Sequence, residues 1–163
     1  KYPGRFIILM ASRITKEKNI GLALDAVSDL NVLLIIVGDG PETENLKRIA
    51  PKNIIFEPHT DDLISYYKTC DLFLLTSNYE GYGRTLIEAA VAGAKIISSD
   101  VGVASEILEP ECIFKVGDKN DLAEKLLAAT KQTLLPSKPL IHQTKEEYLV
   151  LYKRSFEACA HKK

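Results

Sequence analysis

Two carboxylates and two glycines fall within one short stretch, Glu80-Gly81-Tyr82-Gly83-Arg84-Thr85-Leu86-Ile87-Glu88. Glycine lets a backbone approach a ligand closely, and a carboxylate accepts hydrogen bonds from a pair of sugar hydroxyls. From Leu86 to Ala94 every residue except Glu88 is apolar or glycine. Such a composition predicts a helix buried all round, where a carboxylate is costly without a partner. Two readings of Glu88 stay open. Thr85-Leu86-Ile87-Glu88 fits the Thr-x-x-Glu capping box, and the same carboxylate could point into a ligand crevice.

A second chemical group lies upstream, where Arg13 is followed five residues later by Lys18. Two cations in one loop suit phosphate neutralisation, although a solvated basic loop has the same composition. No G-x-G-x-x-G follows the first apolar run, so a nicotinamide or flavin dinucleotide is not expected. Gly38-Asp39-Gly40 reads as a tight turn, and His59, in Glu57-Pro58-His59-Thr60, as a loop histidine.

These residues need elements to hold them. Phe6–Ala11, Asn31–Val37, Asn53–Phe56, Asp71–Leu75, Lys95–Ser99 and Cys112–Val116 are short apolar runs of strand type. Between them, helical spacing covers 20–28, 42–49, 61–68, 84–92 and 120–130, with one turn at 105–108. Pro41 suits the first position of its helix, and Gly93 closes the helix that carries Glu88. Gln132–Pro139 reads as a linker, and Thr144-Lys145-Glu146-Glu147 as a capping box opening a terminal helix over 144–163. Strands alternating with helices imply an α/β fold, a Rossmann-like parallel sheet with helices on both faces. Ligands of such sheets bind outside the carboxyl ends of the strands. That edge gathers Arg13, Lys18, two glycine loops, a helix start and two carboxylates, which together describe a nucleotide-diphosphate site.

Composition narrows the classes. The chain has 163 residues, 46% of them hydrophobic and 26% charged, as expected of one globular domain. A net charge of −1 gives no field to attract nucleic acid. Cys70, Cys112 and Cys159 are odd in number and scattered, which points to a reducing compartment rather than a disulfide framework. No pattern of metal-ligand spacing occurs, and no apolar run reaches the ~20 residues of a membrane span. The chain starts at Lys1 without an initiator Met and reads as a piece of something longer.

The stretch Asn78–Gly93, followed by a strand and Asp100-Val101-Gly102, resembles the signature of the family-4 retaining glycosyltransferases of GT-B fold, the glycosyl transferases group 1. Arg13 with Lys18, Val37-Gly38-Asp39-Gly40, and Thr69–Ser77 line up with it in order, so the resemblance runs from about Phe6 to Thr130. It implies a single nucleotide-sugar-binding domain over 1–163, the donor-binding half of an enzyme whose N-terminal acceptor domain is missing. Residues 144–163 would form the helix that crosses to that domain. By the same resemblance Arg13 and Lys18 hold the donor diphosphate, Glu80 lies beside the transferred sugar, and Glu88 holds the ribose. Gly81, Tyr82, Gly83, Arg84, Thr85 and Leu86 form the loop that meets sugar and phosphate. Gly38 lines the site, and Pro58 to Thr60, with His59, meet the nucleobase. No cofactor or metal is implied beyond a UDP- or GDP-sugar such as GDP-mannose. The implied acceptor is a glycan or lipid, with the full-length protein cytoplasmic and peripheral to a membrane face. Arg84 and Thr85 stand where the family usually has apolar residues or proline, Pro58 where glycine is common, Lys95 where proline is common, and Val103 in place of a second glycine.

Two rivals accompany this reading. One is a sugar-nucleotide epimerase of related fold. The other is a noncatalytic α/β nucleotide-binding module such as a receiver, which would need acidic residues where Ser12 and Arg13 stand.

Overall fold

The structure is a computed structural model and describes residues 4–131. Six strands, β1 (Phe6–Ala11), β2 (Val32–Val37), β3 (Ile54–Glu57), β4 (Leu72–Leu75), β5 (Ile96–Ser99) and β6 (Ile113–Phe114), form one sheet in the order β3-β2-β1-β4-β5-β6. Every pair is parallel, with β1 meeting β2 from Phe6↔Val32 to Ala11↔Val37 and β4 at Ile8↔Leu72. The helices are α1 (Ile20–Val27), α2 (Thr43–Ile49), α3 (Leu63–Thr69), α4 (Arg84–Val91), α5 (Ala104–Ile107) and α6 (Lys119–Thr130). The α/β Rossmann-like expectation is met.

Alternation along the strands divides the core into two layers. Ile8, Met10, Leu34, Ile36, Leu72 and Leu74 face α1 and α6, which pack on each other over that side. Leu9, Leu33, Ile35, Phe73, Leu75 and Ile96 face α3, α4 and α5. The strands β2, β4 and β5 are buried on both faces along their whole length, which is why they read as short, largely apolar runs.

Three local expectations are corrected. Helix α4 is not buried all round. Leu86, Ala89 and Ala90 face the sheet, whereas Val91 is 70% exposed and Glu88 also lies on the open side. The apolar composition of Leu86 to Ala94 hides a one-sided stripe of Leu86, Ala89 and Ala90 at i, i+3, i+4. Pro41 is not the first residue of α2; the helix starts at Thr43 after a turn in which the Thr43 hydroxyl donates to Gly40 O at 2.7 Å. The sixth strand is two residues long instead of five, because Pro110–Cys112 forms a 3-10 turn and β5 ends at Ser99, opposite Phe114. The expected linker 132–139 and terminal helix 144–163 lie outside the described residues.

Candidate functional site

The strand order reverses between β1 and β4, so their carboxyl ends open a crevice at the switch point. The loop after β1 carries Ser12, Arg13 and a 3-10 turn at Lys16–Lys18; the loop after β4 carries Thr76 to Gly83. Their backbones and side chains interlock. The Thr76 hydroxyl lies 2.9 Å from Lys18 O, the Asn78 amide donates to Glu17 O at 2.7 Å, and the Asn19 side-chain amide reaches Asn78 Oδ1 at 3.0 Å. At the centre, Lys18 Nζ sits 2.6 Å from Glu80 Oε1, and the Ser77 hydroxyl donates to the same oxygen at 2.7 Å. The two charged side chains are only 23% and 12% exposed, so they are partly sheltered from solvent screening. The switch point thus brings together Lys18 and Glu80, one expected on phosphate and the other on the sugar.

Other contacts fix this pair of loops from both sides. Ser99 Oγ donates to Ser77 O at 2.8 Å, and the Val103 amide donates to Tyr82 O at 3.1 Å. Gly102 has φ +55°, and a Cβ there would stand 2.5 Å from Tyr82 O and 3.2 Å from Glu80 Cβ. On the other side, Gly38 has φ +140°, and a Cβ there would stand 2.0 Å from Ser12 O. A side chain at either glycine would push the crevice loops apart, so both glycines act through close backbone packing. The Ser12 hydroxyl is buried without a hydrogen-bond partner at the end of β1.

Arg13 is exposed beside this network. Hydrogen bonds from Thr15 and its own amide, followed by the charges of Arg13 and Lys18, hold the Glu17 carboxyl below its ordinary range. Arg13 and Lys18 therefore act in one electrostatic neighbourhood. Helix α4 opens with Gly83 as its N-cap, at φ +92°, and no side chain caps it. Its first amides remain open to an acceptor from outside the helix. Thr85 is the second helical residue and lies inside the helix. The capping-box reading of Thr85 and Glu88 is thereby set aside. Glu88 Oε2 instead accepts from the Tyr67 hydroxyl at 3.2 Å.

His59 and Thr60 follow β3, at one edge of the sheet. Three strand spacings separate β3 from β4, roughly 14 Å at the usual interval, a span suited to an extended nucleotide. The His59 side chain is 76% exposed, with Nε2 3.7 Å from Asp61 Oδ1. Gly81 and Arg84 are exposed, Tyr82 and Thr85 half-buried, and Leu86 belongs to the core. Leu86 can meet a ligand only through its backbone, whose amide donates to Gly83 O.

The sequence reading missed Ser77 and Tyr67, which hold Glu80 and Glu88, and the interlocking role of Thr76, Asn19 and Asn78. Ser77 stood three residues before Glu80 and was readable in principle; Tyr67 lies 21 residues from Glu88 and needed the fold. A separate open cleft of about 760 Å³ lies between α5 and β6, lined by Glu106, Leu108, Glu109, Phe114 and Lys115. None of the expected site residues lines it. Among the described residues no cluster of His, Cys, Asp and Glu could hold a metal ion, and no helix is long and apolar enough to cross a membrane.

The crevice can be set beside known proteins. The chain is 29% identical to the 2-deoxystreptamine N-acetyl-D-glucosaminyltransferase of Niallia circulans over 97% of its own length and 47% of that protein's. The fold matches Anabaena Alr3699/HepE in complex with UDP and glucose at a TM-score of 0.72, with 23% identity over 79% of this chain and 40% of that one. It also matches the catalytic domain of the cholesterol-α-glucosyltransferase from Helicobacter pylori at a TM-score of 0.69, with 23% identity over 79% of this chain and 89% of that one. Both likenesses place the sheet among GT-B glycosyltransferase folds. The chain spans less than half of the length of these curated relatives, 37% for an O-antigen biosynthesis glycosyltransferase of Escherichia coli and 47% for the Niallia enzyme. The family model described as "Glycosyl transferases group 1" matches residues 1–146, which contain both crevice loops and helix α4, and the chain belongs to that family.

Proposed function

We propose that this chain is the donor-binding half of a retaining glycosyltransferase that takes a nucleoside-diphosphate sugar, most readily a UDP-sugar. The observation that carries the reading is the Lys18–Glu80–Ser77 cluster at the switch point, which unites a cation and a carboxylate in a crevice beside an uncapped helix start. Arg13, Lys18 and the first amides of α4 neutralise the diphosphate, and the charge it gains as the sugar departs. Glu88 accepts from the ribose hydroxyls, and the backbone near His59 and Thr60 meets the base. Gly81 to Leu86 cradle the sugar and its phosphate, with Glu80 beside the sugar. Positively charged side chains and helix amides suffice for the diphosphate, so binding proceeds without a metal ion.

Support for a UDP-sugar comes from the HepE complex with UDP and glucose, and support for glycan synthesis from the name of the O-antigen biosynthesis relative. The acceptor, a glycan or glycolipid, binds in a cleft completed by a second domain that corresponds to the remainder of the relatives' length. A protein of this kind works in the cytoplasm, where the full-length enzyme can lie against a membrane face. Calorimetry of UDP and GDP with the purified chain, with and without a chelator, tests the proposal. Saturable binding of a nucleoside diphosphate in both conditions is expected; no binding of either nucleotide, or binding abolished by the chelator, contradicts it.

A further inference from the structure

We propose that Tyr67 is a positioning residue for Glu88 and sets how strongly the site recognises a nucleotide's ribose. The inference rests on the assignment of Glu88 to the ribose given above. Tyr67 lies on α3 and is 2% exposed, its ring held edge-on against Phe73 of β4 with centroids 5.4 Å apart. Its hydroxyl reaches from α3 to α4 and donates to Glu88 Oε2 at 3.2 Å. Glu88, by contrast, projects from the open side of α4. An exposed glutamate on a helix has several rotamers, and ordering one on binding opposes affinity. The chain of contacts from β4 through the Tyr67 ring to the carboxylate selects one rotamer before the ligand arrives and leaves Oε1 available to accept. Burial first, then the charge of Glu88, push the Tyr67 phenol above its ordinary value, so it remains a protonated donor throughout the neutral range. The Tyr67 hydroxyl donates only to Glu88, and its removal leaves a carboxylate at the surface rather than an unpaired polar group in the core.

The test compares UDP with 2′,3′-dideoxyuridine diphosphate, which lacks the ribose hydroxyls, by calorimetry on the purified chain. The quantity read is the ratio of the two dissociation constants within each variant, which does not depend on the folded fraction of a sample. In the parent the ratio favours UDP. Tyr67→Phe is expected to weaken UDP about five-fold and to leave the dideoxy nucleotide unchanged, collapsing most of the ratio. In a Glu88→Ala background, Tyr67→Phe should change neither constant further. An equal loss for both nucleotides in Tyr67→Phe, no change in the ratio, or an effect that persists without Glu88 would overturn the proposal. If Glu88→Ala itself keeps the parent ratio, the ribose assignment has failed; if Glu88→Ala abolishes the ratio but Tyr67→Phe does not, only the positioning role has failed.

Discussion

Replacing Glu80 by glutamine should tighten the binding of bare UDP while destabilising the fold. The reason is the contact that the crevice makes without a ligand. Lys18 Nζ and Glu80 Oε1 are 2.6 Å apart with Ser77 on the same oxygen, and both charged side chains are largely covered. A diphosphate that recruits Lys18 must draw the ammonium from this carboxylate. Glutamine keeps an acceptor for Lys18 and Ser77 but removes the charge that competes with phosphate. An ion pair near the surface contributes up to about 1 kcal/mol, and a hydrogen bond to a charged group about 1.5–3 kcal/mol. With part of the hydrogen bonding retained, the fold should lose about 1–2 kcal/mol. Release of Lys18 is worth about 1 kcal/mol to an anion, roughly a five-fold lower dissociation constant. Titration calorimetry with UDP and thermal melts of parent and variant measure the two effects. Weaker UDP binding in the variant, with the melt little changed, would refute the competition between Glu80 and phosphate for Lys18. From the sequence alone UDP affinity would be expected to stay unchanged; the ion pair alters that expectation.

Gly38→Ala should destabilise by about 3 kcal/mol, a fall in melting temperature of roughly 6–12 °C for a domain of this size. A Cβ at φ +140° would sit 2.0 Å from Ser12 O, whereas a Cβ at Gly81 meets nothing within 4 Å. Gly81→Ala should therefore melt like the parent, and similar melts for the two variants would contradict this. The 163-residue chain alone should transfer no sugar to an added acceptor at a useful rate, since a cleft formed by two domains supplies the positioning on which such a reaction depends. A radiolabelled-donor assay with robust turnover by the purified chain would overturn it.

How much of this was legible in the sequence depends on the range of the interaction. Strands buried on both faces have unbroken apolar runs, and Phe6–Ala11 was placed to the residue because its whole length pairs with β2. The parallel sheet followed from alternation alone. The length of β6 did not, because a strand ends where its neighbour does, and Ser99 closes β5 opposite Phe114. In the site, Glu80 and Lys18 were each identified from their own loops, but they are 62 residues apart and their contact exists only once β1 and β4 are neighbours. The same holds for Tyr67 and Glu88. Gly38 was legible as a turn and Gly102 as part of the resembling signature, yet their close approach to Ser12 and Tyr82 is tertiary. The exposed face of α4 was misjudged because Val91 is apolar yet stands 70% exposed, as single apolar residues on a surface commonly do.

The most direct test of the crevice as a nucleoside-diphosphate site is the affinity of Glu88→Gln for UDP. Glutamine keeps an acceptor for the Tyr67 hydroxyl, and no helix cap is lost, because α4 is capped at Gly83 without a side chain. The fold should therefore melt as in the parent. Losing a charged acceptor for ribose hydroxyls removes about 1.5 kcal/mol or more, so UDP should bind roughly ten-fold more weakly. A Glu88→Gln chain that binds UDP as tightly as the parent would contradict the assignment.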